Sequence, residues 1–511
     1  MSVIELDRRE PPGSARASMM LQRAHWAAEL FARYDHARVV RIVDAVVEAA
    51  EAKAEEYAAW AVEETGMGVV EHKVIKNRMC SRGLWDAYRD HDFVSPRIRR
   101  DDKILELPRP AGVIFALTPT TNPVATVYFK VLLALMTRNA IVVSPHPGAK
   151  RVCVDAVRTM ADAAVAAGAP DGCIQVVEEP SVPLIEALMA DQTTDVILAT
   201  GGSAVVRAAY RSGNPALGVG PGNVPSFVDA TADIPAAAQR IVDSKSFDNS
   251  ILCTNESAVI VEEEVADQLV RELGRHGAHV CSPEDVEKVR EHLFPDNRMR
   301  LDLIGKSAVV LAEEAGLKVP AGTRVLVAPF SLVVPEEPLA REKLFPVLGL
   351  VRVPNTRAGI SAAQAMLRIT GAGHSASIHS RRAQTIMDFG AAVKVLRVSV
   401  NVGNSLGSAG VLTNLQPTMT IGTGFYGRSS IGENLEPRHL VNWMRVAYNA
   451  DAAVPFDDFE GMQPWRLDTV VAAAGVVVEA PPAAPSTPET DLLREEVRRL
   501  ILEELKELTR Q

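Results

Sequence analysis

A chain of 511 residues is longer than one hydrophobic core comfortably serves, so at least two principal domains are expected. With 47% apolar and 23% charged residues it is too hydrophobic for extended disorder and has the balance of a soluble globular protein. A formal net charge of −10, without a long Lys/Arg run, argues against a nucleic-acid-binding surface, which needs concentrated positive charge.

The opening MSVIELDRREPPGSARAS is charged and interrupted by proline, with no apolar core of the kind a secretory signal has. No stretch reaches bilayer-spanning length, so no membrane association is expected. Cys80, Cys153, Cys173, Cys253 and Cys281 are odd in number and lack CxxC spacing, which signals neither a disulfide framework nor a zinc site. A reducing cytoplasm fits this usage, with room for one chemically active thiol.

From 17 to 67 the chain is rich in Ala, Glu and Leu, with apolar residues at helical spacing, and predicts long helices. Arg97, Arg99 and Arg100, followed at once by Asp101 and Asp102, read as a solvated hairpin. At Pro110 the rhythm changes. Strands are predicted at 111–117, 140–144, 173–178 and 195–200, separated by helices at 124–136, 149–167, 182–190 and from Ser203, which is the pattern of a parallel sheet covered by helices on both faces.

A second series follows, with strands predicted at 257–262, 307–312, 324–330 and 348–353 and two helices before 293. The expected fold class is α/β: a doubly wound nucleotide-binding domain plus a second α/β domain, with Cys253 near their junction. The boundaries expected are 1–247 for the N-terminal helices and nucleotide-binding domain, 248–436 for the thiol-bearing domain and 437–479 for a C-terminal return segment. A Pro/Ala spacer occupies 480–488, and an amphipathic helix 489–511, with Leu493, Val497, Leu500, Ile501, Leu505 and Leu508 on one face. Such a helix docks onto another surface, folds back on its own subunit or forms a local coiled coil.

Four features suggest chemistry. Cys253, in FDNSILCTNES, lies in a loop between a helix and a strand, where a thiol is reachable, although most free cysteines are small buried hydrophobes. Asn122, in PTTNP with Thr120, follows the first strand at the end where α/β sheets gather ligands; its amide can donate to a developing oxyanion, and Asn-Pro is equally a turn signal. Gly201, Gly202 and Ser203 stand between a strand and a helix, the setting in which backbone N–H groups face a phosphate, but the full G-x-G-x-x-G fingerprint is missing. Gly220 and Gly222, in GVGPGN, permit close backbone approach or form a tight turn.

Taken in order, PTTNPVATVYFK, TRNAIVVSPHPGAK, SGNPALGVGPGNVP, SKSFDNSILCTNES, EKLFPVLG and GAGHSASI resemble the CoA-acylating aldehyde dehydrogenases, including the dehydrogenase half of bifunctional aldehyde-alcohol dehydrogenases, over residues 20–450. The resemblance implies an aldehyde dehydrogenase-like fold and Cys253 as nucleophile. It implies Asn122 and the Cys253 backbone N–H as oxyanion donors, and Glu342 as the carboxylate holding the nicotinamide ribose. Thr120, Ser144, His146, Gly201, Gly202, Ser203, Gly220 and Gly222 would line the NAD site, with NADP as an alternative. His374 matches a histidine near the active site and is the third candidate catalytic residue with Cys253 and Asn122, though a lone His in a Gly/Ser loop is as often structural. No metal is implied.

Hydrolytic members of the wider family resemble this chain but carry a glutamate base in a Glu-Leu-Gly-Gly element; the matching stretch here, GVGPGN, has no acid or base. Coenzyme A, bringing an intrinsically better nucleophile than water, is the expected acyl acceptor. The expected substrate is a short aldehyde, acetaldehyde or propionaldehyde first. By the same resemblance the subunits form dimers or tetramers through 97–110 and the segment after 437. The tail at 489–511 looks like an encapsulation peptide addressed to the shell or core proteins of a bacterial microcompartment. A hydrolytic dehydrogenase and an inactive scaffold with an assembly tail are the rival readings.

Overall fold

The computed structural model describes residues 13–464, so the spacer at 480–488, the tail at 489–511 and the end of the 437–479 segment lie outside the described residues. Residues 13–462 belong to one unit. The Ala-rich start forms three helices, α1 (Ser14–Phe31), α2 (His36–Ala52) and α3 (Ala54–Thr65). Asp35 caps α2 by accepting the Arg38 backbone N–H at 2.8 Å, and α3 stops at Gly66, which takes the left-handed conformation. Helix α4 (Val70–Arg78) leads into a π-helical turn at Met79–Gly83.

The arginine cluster forms the expected hairpin: β1 (Arg97–Arg99) pairs antiparallel with β2 (Ile104–Pro110). Five parallel strands follow: β3 (Val113–Leu117), β4 (Ala140–Ser144), β5 (Ile174–Val176), β6 (Val196–Ala199) and β7 (Ala216–Gly218). Their order is β5-β4-β3-β6-β7, so strand order reverses between β3 and β6 and leaves a crevice at their carboxyl ends. Helix α5 (Pro123–Met136) is buried at all 14 positions, because PVATVYFKVLLALM is apolar almost all round and is packed between the sheet and the helices α2 and α6 (Lys150–Ala166). Helix α7 (Ser203–Arg211) follows β6.

The second sheet is also parallel throughout. It comprises β8 (Val224–Val228), β9 (Glu256–Glu262), β10 (Ala278–Val280), β11 (Val325–Pro329), β12 (Val347–Val353), β13 (Ala376–His379) and β14 (Val398–Val400), in the order β10-β11-β12-β9-β8-β13-β14. Strand β8 and helix α8 (Ile234–Ser246) precede residue 247 but belong here, so the chain passes between sheets at 219–223, within GVGPGN, rather than at 247. A last strand, β15 (Val441–Ala447), returns to pair antiparallel with β2.

The α/β class, with one doubly wound sheet and a second parallel one, is as the sequence predicts. One strand is not. The segment 307–312 is helical, within Ala308–Glu314, because the Ser307 hydroxyl caps the Val310 N–H and the buried Ala308, Leu311 and Ala312 recur at helical rather than alternating spacing. No helix among the described residues is long and apolar enough to cross a membrane.

Candidate active site

The candidate residues lie at opposite ends of the strands in the two sheets. The carboxyl ends of β3, β4 and β6 deliver Thr120 and Asn122, Ser144 and His146, and Gly201, Gly202 and Ser203. The second sheet offers its amino ends: Gly222 precedes β8, Cys253 precedes β9, Glu342 precedes β12 and His374 precedes β13.

Cys253 is partly exposed, whereas the other four cysteines are buried. The loop before it holds three successive non-glycine residues in the left-handed region, Asp248 (φ 50°), Asn249 (φ 51°) and Ser250 (φ 65°), each of which costs about 1–3 kcal/mol and needs outside support. Asp248 finds that support in Lys73, Lys76 and the Val69 N–H, and its own N–H donates to His72 Nδ1 at 2.8 Å. Asn249 donates to the Gly305 carbonyl at 2.9 Å, and beyond the thiol Thr254 donates to the Ser405 carbonyl at 2.8 Å.

Burial, then the Glu342 carboxylate, push the Cys253 thiol up to about 12, while its own backbone N–H and Arg397 pull the other way. Glu342 is itself pushed up to about 7 by burial and accepts the Gly222 N–H at 3.1 Å. Gly222, Cys253 and Glu342 are therefore one contact group. The guanidinium of Arg397, just before β14, donates to the His374 carbonyl at 3.1 Å, which ties His374 to the same end of the sheet.

Asn122 stands at the N-cap of α5 without making a side-chain cap. Its Oδ1 accepts instead from Lys76, and its Nδ2 donates to Thr121 Oγ1 at 3.2 Å. No hydrogen bond joins Asn122 to Cys253 among the described residues; the Lys76–Asp248 pair connects the two loops.

At the carboxyl end of β6 Gly202 caps α7 with no side-chain cap bond, and Gly201 and Gly202 are exposed. The first N–H groups of that helix are thus left for solvent or a ligand. Ser144 Oγ is buried at the end of β4 with no hydrogen-bond partner among the described residues. An exposed His146 accepts the Gly148 N–H at 3.1 Å, and a Cβ on Gly148 would lie 3.0 Å from Thr120 Cγ2. Free helix N–H groups, glycines that allow close approach and a buried hydroxyl in want of a partner fit the phosphates and ribose of a dinucleotide.

Residues 12–413 match the aldehyde dehydrogenase family. This chain belongs to that family. The aldehyde-alcohol dehydrogenase of Clostridium acetobutylicum is 39% identical over 411 residues, covering 79% of this chain and 46% of the relative. The chain spans about half the length of such curated relatives. An acetylating aldehyde dehydrogenase from Geobacillus thermoglucosidasius superposes with a TM-score of 0.84 at 36% identity, covering 86% of this chain and 97% of that one. A propionaldehyde dehydrogenase from Rhodopseudomonas palustris, solved with bound CoA and an acylated cysteine, gives a TM-score of 0.76 at 29% identity over 84% and 97% of the two chains.

In this aldehyde dehydrogenase family member His374 is fully buried, and burial pushes it down to about 3, so it is neutral at ordinary pH. Its Nδ1 meets Ser375 Oγ at 2.9 Å, and Nε2 has no partner among the described residues. Sequence reasoning missed Lys73, Lys76, Asp248, Lys130 and Arg397. Lys130, inside α5, donates to the carbonyls of Leu117 and Leu198 at 2.6 and 2.8 Å and so bridges β3 and β6 below the crevice. The available signal was a charged residue inside an otherwise apolar helix, which needs a partner.

Proposed function

We propose that this chain is a CoA-acylating aldehyde dehydrogenase, converting a short-chain aldehyde, CoA and NAD(P)+ to acyl-CoA and NAD(P)H through a thioester on Cys253. The observation that carries this reading is the segment lying against the Cys253 backbone. Gly222 donates to Glu342 and abuts the Cys253 carbonyl; GVGPGN itself supplies no acid or base to activate water, and the neighbouring carboxylate, Glu342, is assigned to the nicotinamide ribose in this reading.

In this reading the Cys253 sulfur bonds to the aldehyde carbon, and the oxygen that becomes anionic is held by the Asn122 Nδ2 donor and the Cys253 backbone N–H. A bound nicotinamide supplies the acceptor for the hydride. Thr120, Ser144, His146, Gly201, Gly202, Ser203, Gly220 and Gly222 would hold the dinucleotide, and Glu342 would hold its nicotinamide ribose. Cys253 then retains the acyl group until the CoA thiolate attacks its carbonyl and the Cys253–acyl bond breaks. His374, neutral and sealed from solvent, shapes this end of the pocket. Exchange of one thioester for another is nearly balanced, so the enzyme also reduces acyl-CoA with NADH.

Acetaldehyde and propionaldehyde are the proposed substrates, NAD the proposed cofactor with NADP as the alternative, and a homodimer or homotetramer the proposed assembly. The sequence at 489–511, whose apolar residues recur at helical spacing behind a Pro/Ala segment, supports delivery to microcompartment shell or core proteins. Deleting 481–511 should then leave kinetics intact and abolish co-purification with shell protein.

Steady-state NADH formation from acetaldehyde and propionaldehyde, with and without CoA, tests the reading. A general base is worth about 10²–10⁴-fold, so turnover without CoA should fall by about that factor. Equal rates, with free acid as product, would make the chain a hydrolytic dehydrogenase.

A further inference from the structure

Helix α4 turns three polar residues inward at helical spacing, Lys73, Lys76 and Asn77, all buried. The Lys76 side chain is 1% exposed and that of its ion-pair partner Asp248 is 0% exposed. An isolated buried ion pair is weak evidence of a contribution to stability, since well-packed apolar residues often serve as well. What marks this pair is its third member, Asn122, to which Lys76 also donates.

We propose that Lys76, anchored on Asp248, is a positioning residue that fixes the direction of the Asn122 amide. The inference rests on the reading of Asn122 as an oxyanion donor. A lysine ammonium carries three donors and no acceptor, so the amide must turn its Oδ1 toward Lys76 and its NH2 away. A flipped amide would set two donors face to face beside the buried Lys76 ammonium and forfeit the hydrogen bond between them. One of the two Nδ2 hydrogens goes to Thr121 Oγ1, which leaves the other for an incoming oxygen.

Two further observations agree. Asn is a preferred N-cap residue, but here its side chain makes no cap bond to α5 and is turned to Lys76 instead. Lys73 donates to the Thr121 carbonyl at 3.2 Å and to Asp248 at 3.3 Å, holding the peptide just before Asn122 on the same carboxylate. Asp248 lies five residues before Cys253, in the left-handed stretch of the thiol loop. One carboxylate thereby sets both the loop that carries the nucleophile and the side chain that meets the oxyanion. A cation on Oδ1 also polarises the amide and strengthens its N–H as a donor.

The test is a double-mutant cycle read by the single-turnover NADH burst from acetaldehyde and NAD+ without CoA, in the full-length protein. Asn122→Ala should slow the burst by about 10²–10³-fold, as loss of one oxyanion donor does. Lys76→Met should slow it by about tenfold or more when Asn122 is present and by less than about twofold in the Asn122→Ala background, because coupled residues do not add. Asp248→Asn, which keeps size and an acceptor for the Val69 N–H, should cost a clearly larger factor with Asn122 present than in the Asn122→Ala background, the remainder being its share in holding the thiol loop, and that difference decides the matter if Lys76→Met does not fold. KM for NAD+ should stay within about twofold of wild type, since the loss falls on the transition state. Equal fold-losses in both backgrounds, or unchanged bursts in the Lys76 and Asp248 variants, would overturn the positioning role and leave Asn122 as the donor. An Asn122→Ala burst like wild type would overturn the reading of Asn122 itself, and this inference with it.

Discussion

Gly222 and Cys253 are in such close contact that a Cβ on Gly222 would stand 2.1 Å from the Cys253 carbonyl oxygen, and 3.0 Å from a Glu342 carboxylate oxygen. The glycine is required by proximity rather than by a left-handed turn, as Gly222 is not among the positive-φ residues. A methyl group there must displace the Cys253 carbonyl, and with it the residue whose own N–H is one of the two proposed oxyanion donors. Gly222→Ala should therefore slow the NADH burst by about 10²-fold or more, the usual effect of misplacing a reacting group by an ångström. A burst unchanged from wild type would show that the thiol loop yields without consequence.

The charge of Glu342 is one of the influences that raise the Cys253 thiol. Removing it in Glu342→Gln should lower the thiol's pKa and increase its thiolate fraction. Glu342 ionises near pH 7, so the difference should open above that pH and vanish below it. Alkylation by iodoacetamide, followed from pH 6 to pH 9, should be faster in the variant by about threefold or more at the alkaline end. Slower alkylation would instead assign Glu342 as the base that takes the thiol's proton.

His379, on β13, has neither ring nitrogen hydrogen-bonded among the described residues, and burial pushes it down to about 4. Its folded pKa lies below the unfolded value of about 6.5, so the unfolded chain binds the proton more readily between those values. The stability this residue contributes is complete above about pH 6.5 and is lost as pH falls toward 4. Buried Glu256 and Glu342, pushed up to about 7, act in the opposite sense over part of that range, so the comparison must be with a variant. The Tm of His379→Leu minus that of wild type, at one scan rate, should become more positive from pH 7 to pH 5. A constant difference would mean that the imidazole is not kept neutral by burial.

Much of the first sheet was legible in the sequence because its strands β3, β4 and β6 are continuous apolar runs and its helices are long. Strands β7, β10 and β14 have three residues each, too few for a period to show, and Ser307 turned an apolar run into a helix by capping it. The passage between sheets was misplaced because Val224–Val228, VPSFV, opens with a proline two residues in and reads poorly as a central strand. Cys253 and Asn122 stood out through their motifs. Lys76 did not, since VEHKVIKNR has the composition of a solvated helix, and only the fold reveals that Lys73, Lys76 and Asn77 share its buried face. Nor could periodicity reveal that the thiol meets its neighbours at the amino ends of the second sheet.

In the proposed mechanism Cys253 keeps an acyl group which a thiol, rather than water, removes. Peptide mass spectrometry after mixing the protein with propionaldehyde and NAD+ tests it most directly. Without CoA, the peptide containing Cys253 should carry one propionyl group, and NADH formation should stop once each thiol is acylated. Added CoA should strip that mass and return it as propionyl-CoA. An unmodified Cys253 peptide, accompanied by steady NADH formation and free propionate, would show that water rather than a thiol releases the product.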